Sequence, residues 1–533
     1  MEVHKLQFAG AKEANSVDEG ADELIRNAAS NELIFAVVGH AGSGTSKVAE
    51  SLKVALENAD FEVFILKASE AIREWNAEQS SDIPTGIAGA SAMQDLGDKM
   101  RFALGDHAAV ARRLIGKVRE KRAEASGQKL VEGQAVMPDG RKRAYVLDSL
   151  RHPDEVKALR SLYQDAFLTI GVVCDSKVRK SRLVEKYKDD APAKVDQFMD
   201  RDADGDLDHG QLVAETFFLS DFFVDNTESR FEEEKIGAVS KSNPNWLVLE
   251  HLARLVEIVT HSRVVRPSLS ETAMYHAHGA RMRSACLSRQ VGAALVDVNG
   301  EVVSTGCNEV PQAGGGVYDG EFGKDHRCAF HNEYCSSVRE QNRIIDAVIE
   351  MFPELKNSDR DLARGRLRKS PLGGLLEFSR AVHAEMDALL AAARKGISTV
   401  GSKLFVTTFP CHYCARHIVA AGVDEVQFIE PYPKSLAMTL HDDAISSSSK
   451  SVIPSVFAAK RKSGRDVSKD DPKVRFVPFT GVAPVLYRRA FLKDRSLKNK
   501  STGQMSIGEP AWGGSMALRR VGYVDLEVAM ADV

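Results

Sequence analysis

Short apolar runs alternate with amphipathic segments along most of the chain. Glu32–Val38 (ELIFAVV) and Phe167–Val173 (FLTIGVV) are almost entirely apolar, which is typical of strands buried on both faces of a parallel sheet. The segments between such runs, for example Lys47–Glu57, carry apolar residues at helical spacing. This alternation predicts an α/β fold for the first half of the chain.

The second half repeats the alternation and begins with a hairpin pattern. Gln290–Leu295 and Val302–Gly306 predict two strands, and the Asn-Gly pair between them favours a tight turn. Farther along, the pattern predicts one helix and two more strands, at Phe378–Arg394, Lys403–Thr407 and Glu425–Ile429. A hairpin followed by alternating helices and strands predicts a second α/β domain.

Length and composition limit the classes of protein. The 533 residues are enough for two or three domains. The 71 Lys and Arg residues nearly balance the 75 Asp and Glu residues, so charge gives no general case for nucleic-acid or membrane binding. Seven cysteines argue against a disulfide framework, and the N-terminus has no basic segment followed by an apolar run. We therefore expect a cytoplasmic protein.

Two motifs in the second half combine metal ligands with a carboxylate. His383-Ala384-Glu385 is followed by Pro410-Cys411-His412-Tyr413-Cys414, the pattern of the zinc-dependent nucleobase and nucleotide deaminases. One imidazole and two thiolates leave tetrahedral zinc a fourth position for water, whose pKa the metal lowers to roughly 7. We predict that His383, Cys411 and Cys414 are the ligands and that Glu385 carries the proton. The alternative is a core histidine beside a structural zinc knuckle or redox pair, which has no use for Glu385.

The segments around the hairpin resemble the deoxycytidylate (dCMP) deaminases. The matching segments are Arg283–Ala293 (RSACLSRQVGA) and Ser304–Pro311 (STGCNEVP). The resemblance implies a cytidine deaminase-like α/β/α sandwich and a contact between Asn308 and the deoxyribose. Some members carry a structural zinc with a ligand at the position of Cys286. The other ligands of a second zinc would be His326, Cys328, His331 and Cys335, and the alternative is a set of free thiols and surface histidines.

The first half contains a glycine-rich loop between a strand and a helix. The segment Gly39–Ser46 (GHAGSGTS) resembles the P-loop of nucleotide kinases, in which backbone N–H groups bind phosphates. Threonine replaces the usual lysine, so the alternatives are an active kinase and a regulatory nucleotide-binding domain, of which we predict the second. The predicted residues for a nucleotide with Mg²⁺ are Gly39, Gly42, Gly44, Thr45, Ser46 and Asp148. Asp200–Gly205 is expected to be a solvated acidic loop.

Over its full length the chain resembles the bacterial anti-phage dCTP/dCMP deaminases, which fuse a degenerate P-loop domain to a deaminase domain. This implies depletion of deoxycytidine nucleotides during infection and, by resemblance only, inhibition by a small noncoding RNA. Family relatives also make a homo-oligomer the expectation. The alternatives are a polynucleotide cytidine deaminase that edits single-stranded DNA or RNA, and a housekeeping dCMP deaminase that supplies dUMP.

The predicted domain order follows from these motifs. It comprises an N-terminal segment (1–29), a P-loop kinase-like domain (30–240), a linker helix (241–265), a deaminase domain (266–495) and an unassigned tail (496–533).

Overall fold

The computed structural model describes most of the chain in fourteen ranges. These are residues 29–77, 84–188, 190–203, 211–231, 241–320, 324–331, 334–357, 359–374, 378–432, 434–463, 471–493, 497–508, 519–520 and 523–531. Within these ranges, none of the helices combines the length and the apolar character needed to cross a lipid bilayer.

The strands and helices are numbered here in chain order. The strands are β1 (Ala29–Ser30), β2 (Glu32–Val38), β3 (Glu62–Lys67), β4 (Arg143–Asp148), β5 (Phe167–Val173), β6 (Phe222–Asp225), β7 (Gly292–Val296), β8 (Val302–Cys307), β9 (Lys403–Thr408), β10 (Glu425–Glu430), β11 (Ile445–Ser446), β12 (Val474–Pro478), β13 (Gly481–Val482) and β14 (Arg519–Arg520). The helices are α1 (Thr45–Glu57), α2 (Ala68–Ala77), α3 (Gly86–Leu104), α4 (Ala109–Ser126), α5 (Pro153–Tyr163), α6 (Ser176–Lys186), α7 (Pro192–Ala203), α8 (Val213–Phe218), α9 (Val248–Thr260), α10 (Leu269–Arg281), α11 (Cys328–His331), α12 (Ser336–Met351), α13 (Pro353–Lys356), α14 (Arg360–Lys369), α15 (Ala384–Arg394), α16 (His412–Ala420), α17 (Ala437–Leu440), α18 (Pro454–Lys462), α19 (Pro484–Phe491) and α20 (Tyr523–Ala531).

The chain forms two compact units, one inserted into the sequence of the other. The first unit comprises Met1–Pro267 and Thr480–Val533, and the second comprises Ser268–Phe479. The first unit therefore consists of two separate stretches of sequence. These units differ from the predicted boundaries of the linker, the deaminase domain and the tail.

The sheet of the first unit has six strands in the order β13-β6-β5-β2-β4-β3. All neighbouring strands are parallel except β13, which pairs antiparallel with β6. Strands β2 and β5 are buried along their whole length, which confirms the two strands predicted from their apolar runs. The strand order reverses at β2, which lies between β4 and β5. Ligands of open α/β sheets bind beside the carboxyl ends of the strands at such a point.

Helices cover both faces of this sheet because successive side chains of a strand point to opposite faces. One core joins alternate residues of β2 to helices α1 and α9, through Leu33, Phe35, Val37, Val48, Leu52, Leu252 and Leu255. The other core joins the remaining residues of β2 to helices α2, α4 and α5, through Ile34, Ala36, Val38, Trp75, Leu114 and Leu159.

Helix α9, which was predicted to be a linker, is an integral part of the first unit. Its residues Leu252, Leu255 and Val259 are at most 1% exposed. They recur at helical spacing, so they form one apolar face that packs in the same core as α1. The predicted linker 241–265 is therefore corrected to a core element.

Residues after Phe479 also belong to the first unit, although the deaminase domain was predicted to continue to residue 495. Strand β13 pairs with β6, and the short strand β14 pairs with β1. Helix α20 packs against α4, and its Glu527 side chain binds Arg122 with a nitrogen–oxygen distance of 2.5 Å. The segment predicted to be an unassigned tail (496–533) is thus part of the first unit, because it supplies β14 and, in Glu527, a partner for a buried arginine.

The sheet of the second unit also has six strands, in the order β11-β12-β10-β9-β7-β8. Strands β7 and β8 form the predicted antiparallel hairpin, and β9, β10, β12 and β11 run parallel to one another. Helices α10 and α15 cover opposite faces of the hairpin. A Cβ at Gly292 would lie 1.9 Å from the Ala277 oxygen of α10, and a Cβ at Gly306 would lie 2.3 Å from the Ala384 oxygen of α15. This arrangement is the predicted α/β/α sandwich.

Replacing Gly306 with alanine is expected to destabilise the second unit by about 1–3 kcal/mol. The new methyl group would meet the backbone of α15, including the Ala388 nitrogen at 2.4 Å, and backbone cannot rotate away. The matched control is Gly279→Ala on the exposed side of α10, where a Cβ meets nothing within 4 Å. That variant is expected to be unchanged or more stable by up to about 1 kcal/mol. Differential scanning calorimetry measures both, and equal melting temperatures for the two variants would contradict this packing.

Candidate active site

His383 lies immediately before helix α15 rather than inside it. A helix was predicted over Phe378–Arg394, but the observed helix begins at Ala384, and His383 is its N-cap with an extended backbone. The preceding residue is held in extended form because Val382 and Glu309 exchange two backbone hydrogen bonds of 2.9 and 3.1 Å. The correction matters for chemistry, since it places the imidazole at the positive end of a helix.

The two cysteines lie at the start of helix α16. Strand β9 ends at Thr408, and Cys411 is the N-cap of α16, with its sulfur accepting a hydrogen bond from the Cys414 nitrogen at 3.5 Å. A second helix N-terminus therefore points at the same place as the first. Unpaired N–H groups at both helix ends stabilise negative charge on the thiolates.

The three predicted zinc ligands come together. The ligand atoms of His383, Cys411 and Cys414 all lie within 4.8 Å of one another. The His383 Nδ1 atom is 3.3 Å from the Cys411 sulfur and 3.4 Å from the Cys414 sulfur. Tetrahedral zinc with ordinary bond lengths separates sulfur from nitrogen by about 3.5 Å, so this donor set fits Zn²⁺.

The three ligand side chains hold their protons unevenly. A hydrogen bond from Cys414 lowers the pKa of the Cys411 thiol to about 4. The hydrogen bond with Cys411 raises the pKa of His383 to about 9, and the same Cys411 partner raises the pKa of Cys414 well above its usual range. A divalent cation replaces protons on such ligands, so zinc binding is expected to release protons.

Glu385 lies in the first turn of α15, next to this cluster. The side chain is only 4% exposed, and burial raises the pKa of its carboxyl to about 7. Its neighbour is Cys414, to which it is hydrogen bonded. The carboxylate does not belong to the three-ligand group. A carboxyl with a pKa near neutrality can both accept and donate a proton, which suits acid–base chemistry.

A cavity of about 500 Å³ opens above these residues. His383, Glu385, Cys411 and Asn308 all line it. The Asn308 side chain makes two hydrogen bonds within the protein. Its Oδ1 accepts from the Val291 nitrogen at 2.6 Å, and its Nδ2 donates to the Arg289 backbone oxygen at 2.7 Å. Asn308 thus fixes the segment that carries Arg289, in addition to any sugar contact.

Three cationic side chains of the cavity were not identified from the sequence. Arg289, Arg380 and Lys434 line it at well-exposed positions. Arg289 lies in the segment Arg283–Ala293 that resembles the dCMP deaminases, whereas single lysines and arginines elsewhere in a sequence are too common to be informative. The Arg289 guanidinium lies 5.8 Å from the centre of the Tyr432 ring and 4.0 Å from a Glu430 oxygen.

The five residues predicted for a second zinc are only partly brought together. Cys286, Cys328 and Cys335 all line the same cavity, while the His326 ring lies 5.8 Å from the ring of Tyr318. Among the described residues, the groups of three potential metal ligands do not include any of these four. The His331 side chain lies outside the described residues. The second zinc stays a prediction.

In the first unit, the predicted glycine-rich loop follows the carboxyl end of β2 and leads into α1. Gly42 and Gly44 have φ values of 80° and 85°, a region that favours glycine, and a Cβ at Gly39 would lie 2.5 Å from the Ser43 hydroxyl. The Ser46 hydroxyl donates to Asp148 at the end of β4, with an oxygen–oxygen distance of 2.6 Å. Thr45, Ser46 and Asp148 line a cavity of about 580 Å³.

The burial of Asp202 differs from what was predicted for its segment. The segment Asp200–Gly205 was expected to be a solvated acidic loop, but helix α7 continues to Ala203 and the Asp202 side chain is fully buried, while Asp204 and Gly205 lie outside the described residues. Its Oδ2 accepts a hydrogen bond from the Ala41 nitrogen of the glycine-rich loop at 2.6 Å. Asp202 and Ala41 are 161 positions apart in sequence, so no local pattern indicated this contact.

Known proteins match the second unit. Residues 267–430 match the family described as the cytidine and deoxycytidylate deaminase zinc-binding region. Deoxycytidylate deaminase of Enterobacteria phage T4 is 30% identical over 172 residues, which cover 31% of this chain and 80% of that protein. Deoxycytidylate deaminase of Mycobacterium phage D29 is 43% identical over 54 residues, covering 10% and 38%. The crystal structure of dCMP deaminase from the cyanophage S-TIM5 with dCMP and dUMP is 22% identical, covers 34% of this chain and 93% of that chain, and has a TM-score of 0.21.

The family is zinc-binding, and the described residues contain a matching His/Cys/Cys cluster. Since the match to the phage T4 enzyme extends over 80% of that protein at 30% identity, the chain belongs to the deoxycytidylate deaminase family.

Proposed function

We propose that the second unit hydrolytically deaminates deoxycytidine nucleotides, dCMP, dCTP or both, to deoxyuridine nucleotides. The observation that carries this proposal is that His383, Cys411 and Glu385 line one cavity of about 500 Å³, and that Cys414 joins His383 and Cys411 in the ligand cluster. A cavity of that volume suits one nucleotide. The names of the phage relatives support cytosine deoxynucleotides as the substrate class.

His383, Cys411 and Cys414 would hold the zinc ion. Bound zinc supplies a water molecule whose pKa is lowered to roughly 7. The Glu385 carboxylate takes a proton from the attacking water and delivers it to ring nitrogen N3 of cytosine. The same carboxylate then takes the proton of the new C4 hydroxyl and passes it to the amine, which leaves as ammonia while the C4 carbonyl of uracil forms. The Glu385 side chain is only 4% exposed, which limits its contact with bulk solvent.

The substrate phosphate is proposed to lie near Arg289, Arg380 and Lys434. These are the cationic side chains that line the cavity. The two carboxylates that also line it are otherwise engaged, since Glu385 lies at the metal ligands and Glu309 accepts from the Ala285 and Val310 nitrogens at 2.7 and 2.9 Å. The net positive charge of the exposed lining favours a phosphate over a neutral nucleoside.

Replacing Arg289 with alanine is expected to raise KM for dCMP about 10- to 100-fold, because a charge-assisted hydrogen bond to the phosphate is lost. KM for deoxycytidine, which has no phosphate, is expected to stay the same. The backbone oxygen that anchors Asn308 is unaffected by this substitution. The control is Arg339→Ala on α12, whose side chain is 68% exposed. Steady-state kinetics on both substrates measure the effect, and an equal rise for nucleoside and nucleotide would exclude a phosphate contact.

The experiment that tests the function compares four substrates with the purified full-length protein. Ammonia release is measured with dCMP, dCTP, CTP and a cytosine-containing single-stranded oligonucleotide. Turnover of a free deoxynucleotide supports the proposal and identifies the preferred phosphorylation state. Turnover of the oligonucleotide alone would instead indicate a polynucleotide editor.

The first unit is proposed to bind a nucleotide with Mg²⁺ at the loop Gly39–Ser46, as in a P-loop domain. The support is the left-handed glycines Gly42 and Gly44, the cavity beside β2, and the Ser46 hydroxyl next to the Asp148 carboxylate. Thr45 stands where phosphate-transferring P-loops have lysine. A regulatory role is therefore favoured over phosphoryl transfer.

The proposed cellular role is depletion of the deoxycytidine nucleotide pool during phage infection. Its support is the full-length resemblance to anti-phage deaminases, which also suggests a cytoplasmic homo-oligomer and an inhibitory small noncoding RNA. The same reaction would serve a housekeeping enzyme that supplies dUMP. Nucleotide pools in infected and uninfected cells distinguish the two roles. A fall in dCTP confined to infected cells supports defence, and a constant contribution to dUMP supports housekeeping.

A further inference from the structure

The cavity of the first unit has a strongly basic lining. It lies at the carboxyl end of β2, where the strand order reverses, and its volume is about 580 Å³. Two carboxylates, Asp148 and Glu155, also line it. The cationic side chains are Lys67, Arg73, Arg101, Arg151, Arg182 and Lys186. This excess of positive charge suits a ligand with several negative charges, such as a nucleotide.

The glycine-rich loop beside this cavity already binds an anion, which is the carboxylate of Asp202. Oδ2 of Asp202 accepts from the Ala41 nitrogen at 2.6 Å, and Oδ1 accepts from the Gln94 side chain at 3.2 Å. The Arg151 guanidinium binds the same Oδ1 atom. His40 Nδ1 lies 3.8 Å from Oδ2. Asp202 itself is fully buried.

These contacts are of the kind that a nucleotide phosphate would make. Loop N–H groups and an arginine are the usual partners of phosphate oxygens, and a carboxylate presents the same acceptors with one negative charge. Arg179, beside this loop, has a hydrogen-bond donor that lacks an acceptor. Its Nη1 donates to the Ala41 oxygen at 3.4 Å, while its Nε atom is buried and has no hydrogen-bond partner in the described part of the chain.

We propose that Asp202 is an internal competitor for the anion position of the loop, and that a nucleotide phosphate binds there only by displacing its carboxylate. The inference rests on the proposed nucleotide site and adds a constraint to it. Displacement also breaks the contacts of Asp202 with Gln94 and Arg151. Nucleotide binding thereby frees the end of α7 from α3 and from the segment after β4, which makes Asp202 a nucleotide-sensitive switch.

The first test is nucleotide affinity. Full-length protein is titrated with N-methylanthraniloyl-ATP and Mg²⁺, with energy transfer from tryptophan as the signal, and unlabelled ATP, dCTP and pyrophosphate are used as competitors. Trp75 and Trp246 lie in the described part of the first unit, and the second unit, Ser268–Phe479, contains no tryptophan. Asp202→Asn keeps the size of the side chain and removes the charge, so affinity is expected to rise by about tenfold or more. Asp196→Asn, an exposed aspartate on the same helix, is the control and is expected to bind like the wild type.

The direction of the change separates competition from structural support. If Asp202 only supports the loop, Asp202→Asn binds more weakly than the wild type, and this outcome overturns the proposal. Equal affinities also overturn it but leave the nucleotide site intact. Absence of binding in both proteins rejects the nucleotide site and the proposal together. Competition by pyrophosphate alone would show that the phosphates, rather than the base, are recognised.

A second measurement needs no variant and covers the case in which Asp202→Asn fails to fold. Hydrogen–deuterium exchange of the wild-type protein is recorded with and without Mg²⁺-ATP. Displacement of Asp202 predicts faster exchange at the end of α7 when the nucleotide binds. Unchanged or slower exchange there, together with protection of the loop Gly39–Ser46, would mean that the nucleotide binds without displacing Asp202.

Discussion

Glu385→Gln is expected to retain zinc while losing deaminase activity by about 10³- to 10⁴-fold, the upper range for removal of a general acid–base group. Glutamine keeps the size of the side chain and one acceptor oxygen, but its amide cannot take up and release a proton in the pH range of the reaction. The three ligand atoms come from His383, Cys411 and Cys414, so the metal site does not depend on this carboxylate. Activity and metal content should therefore separate in this variant.

The measurement pairs ammonia release from dCMP and dCTP with zinc content by mass spectrometry. Cys411→Ser is the matched variant for the metal, and it is expected to lose both zinc and activity. Glu301→Gln, at an exposed turn of the same unit, is expected to change neither. Substantial turnover by Glu385→Gln would refute the proposed proton carrier, and loss of zinc in that variant would instead assign Glu385 to the metal.

The metal site was predictable because each of its parts is local in sequence. His383 and Glu385 are two positions apart, and Cys411 and Cys414 are three apart, so two short segments specify the whole donor set. The sequence did not indicate that His383 precedes its helix. The alanine-rich sequence favours a helix that starts as early as Phe378. The backbone hydrogen bonds between Val382 and Glu309 are a long-range contact, and they hold the residue before His383 in an extended conformation instead.

The missed features depend on contacts between distant residues. Asp202 accepts a hydrogen bond from the Ala41 nitrogen, 161 positions away in sequence. Without knowledge of that partner, an acidic segment that contains a glycine predicts a solvated loop. Helix α9 was identified, but its role was not, because an apolar face does not specify what it packs against. The positions of Arg289 and Lys434 in the cavity likewise follow from the fold of the whole second unit.

The first unit is assembled from two stretches of sequence separated by the entire deaminase unit. Strand β13 and helix α20 come from the second stretch, so the first unit cannot make all its contacts until the chain beyond residue 480 is available. One of these late contacts is a buried ionic cluster. It is centred on Arg122 of α4, which is fully buried between Glu32 of β2 and Glu527 of α20.

Arg122→Met is expected to destabilise the first unit by about 3–5 kcal/mol, the usual cost of removing one partner from a buried ion pair. The guanidinium binds Glu32 at 2.7 Å and Glu527 at 2.5 Å, and both carboxylates are at most 1% exposed on their side chains. Tyr163 donates to Glu527 at 2.6 Å, but a hydroxyl cannot neutralise a buried charge. Two carboxylates would therefore remain close together without the arginine between them.

Urea unfolding followed by tryptophan fluorescence measures this effect, because Trp75 and Trp246 lie in the first unit and the second unit, Ser268–Phe479, contains no tryptophan. The control is Lys121→Met, the neighbouring residue, which is 40% exposed and pairs with Glu124; it should cost about 0–1 kcal/mol. The double variant Arg122→Met with Glu527→Gln should recover part of the loss, since it removes one of the unpaired charges. A loss for Arg122→Met no larger than that for Lys121→Met would mean that the buried cluster does not fasten α20 to the rest of the first unit.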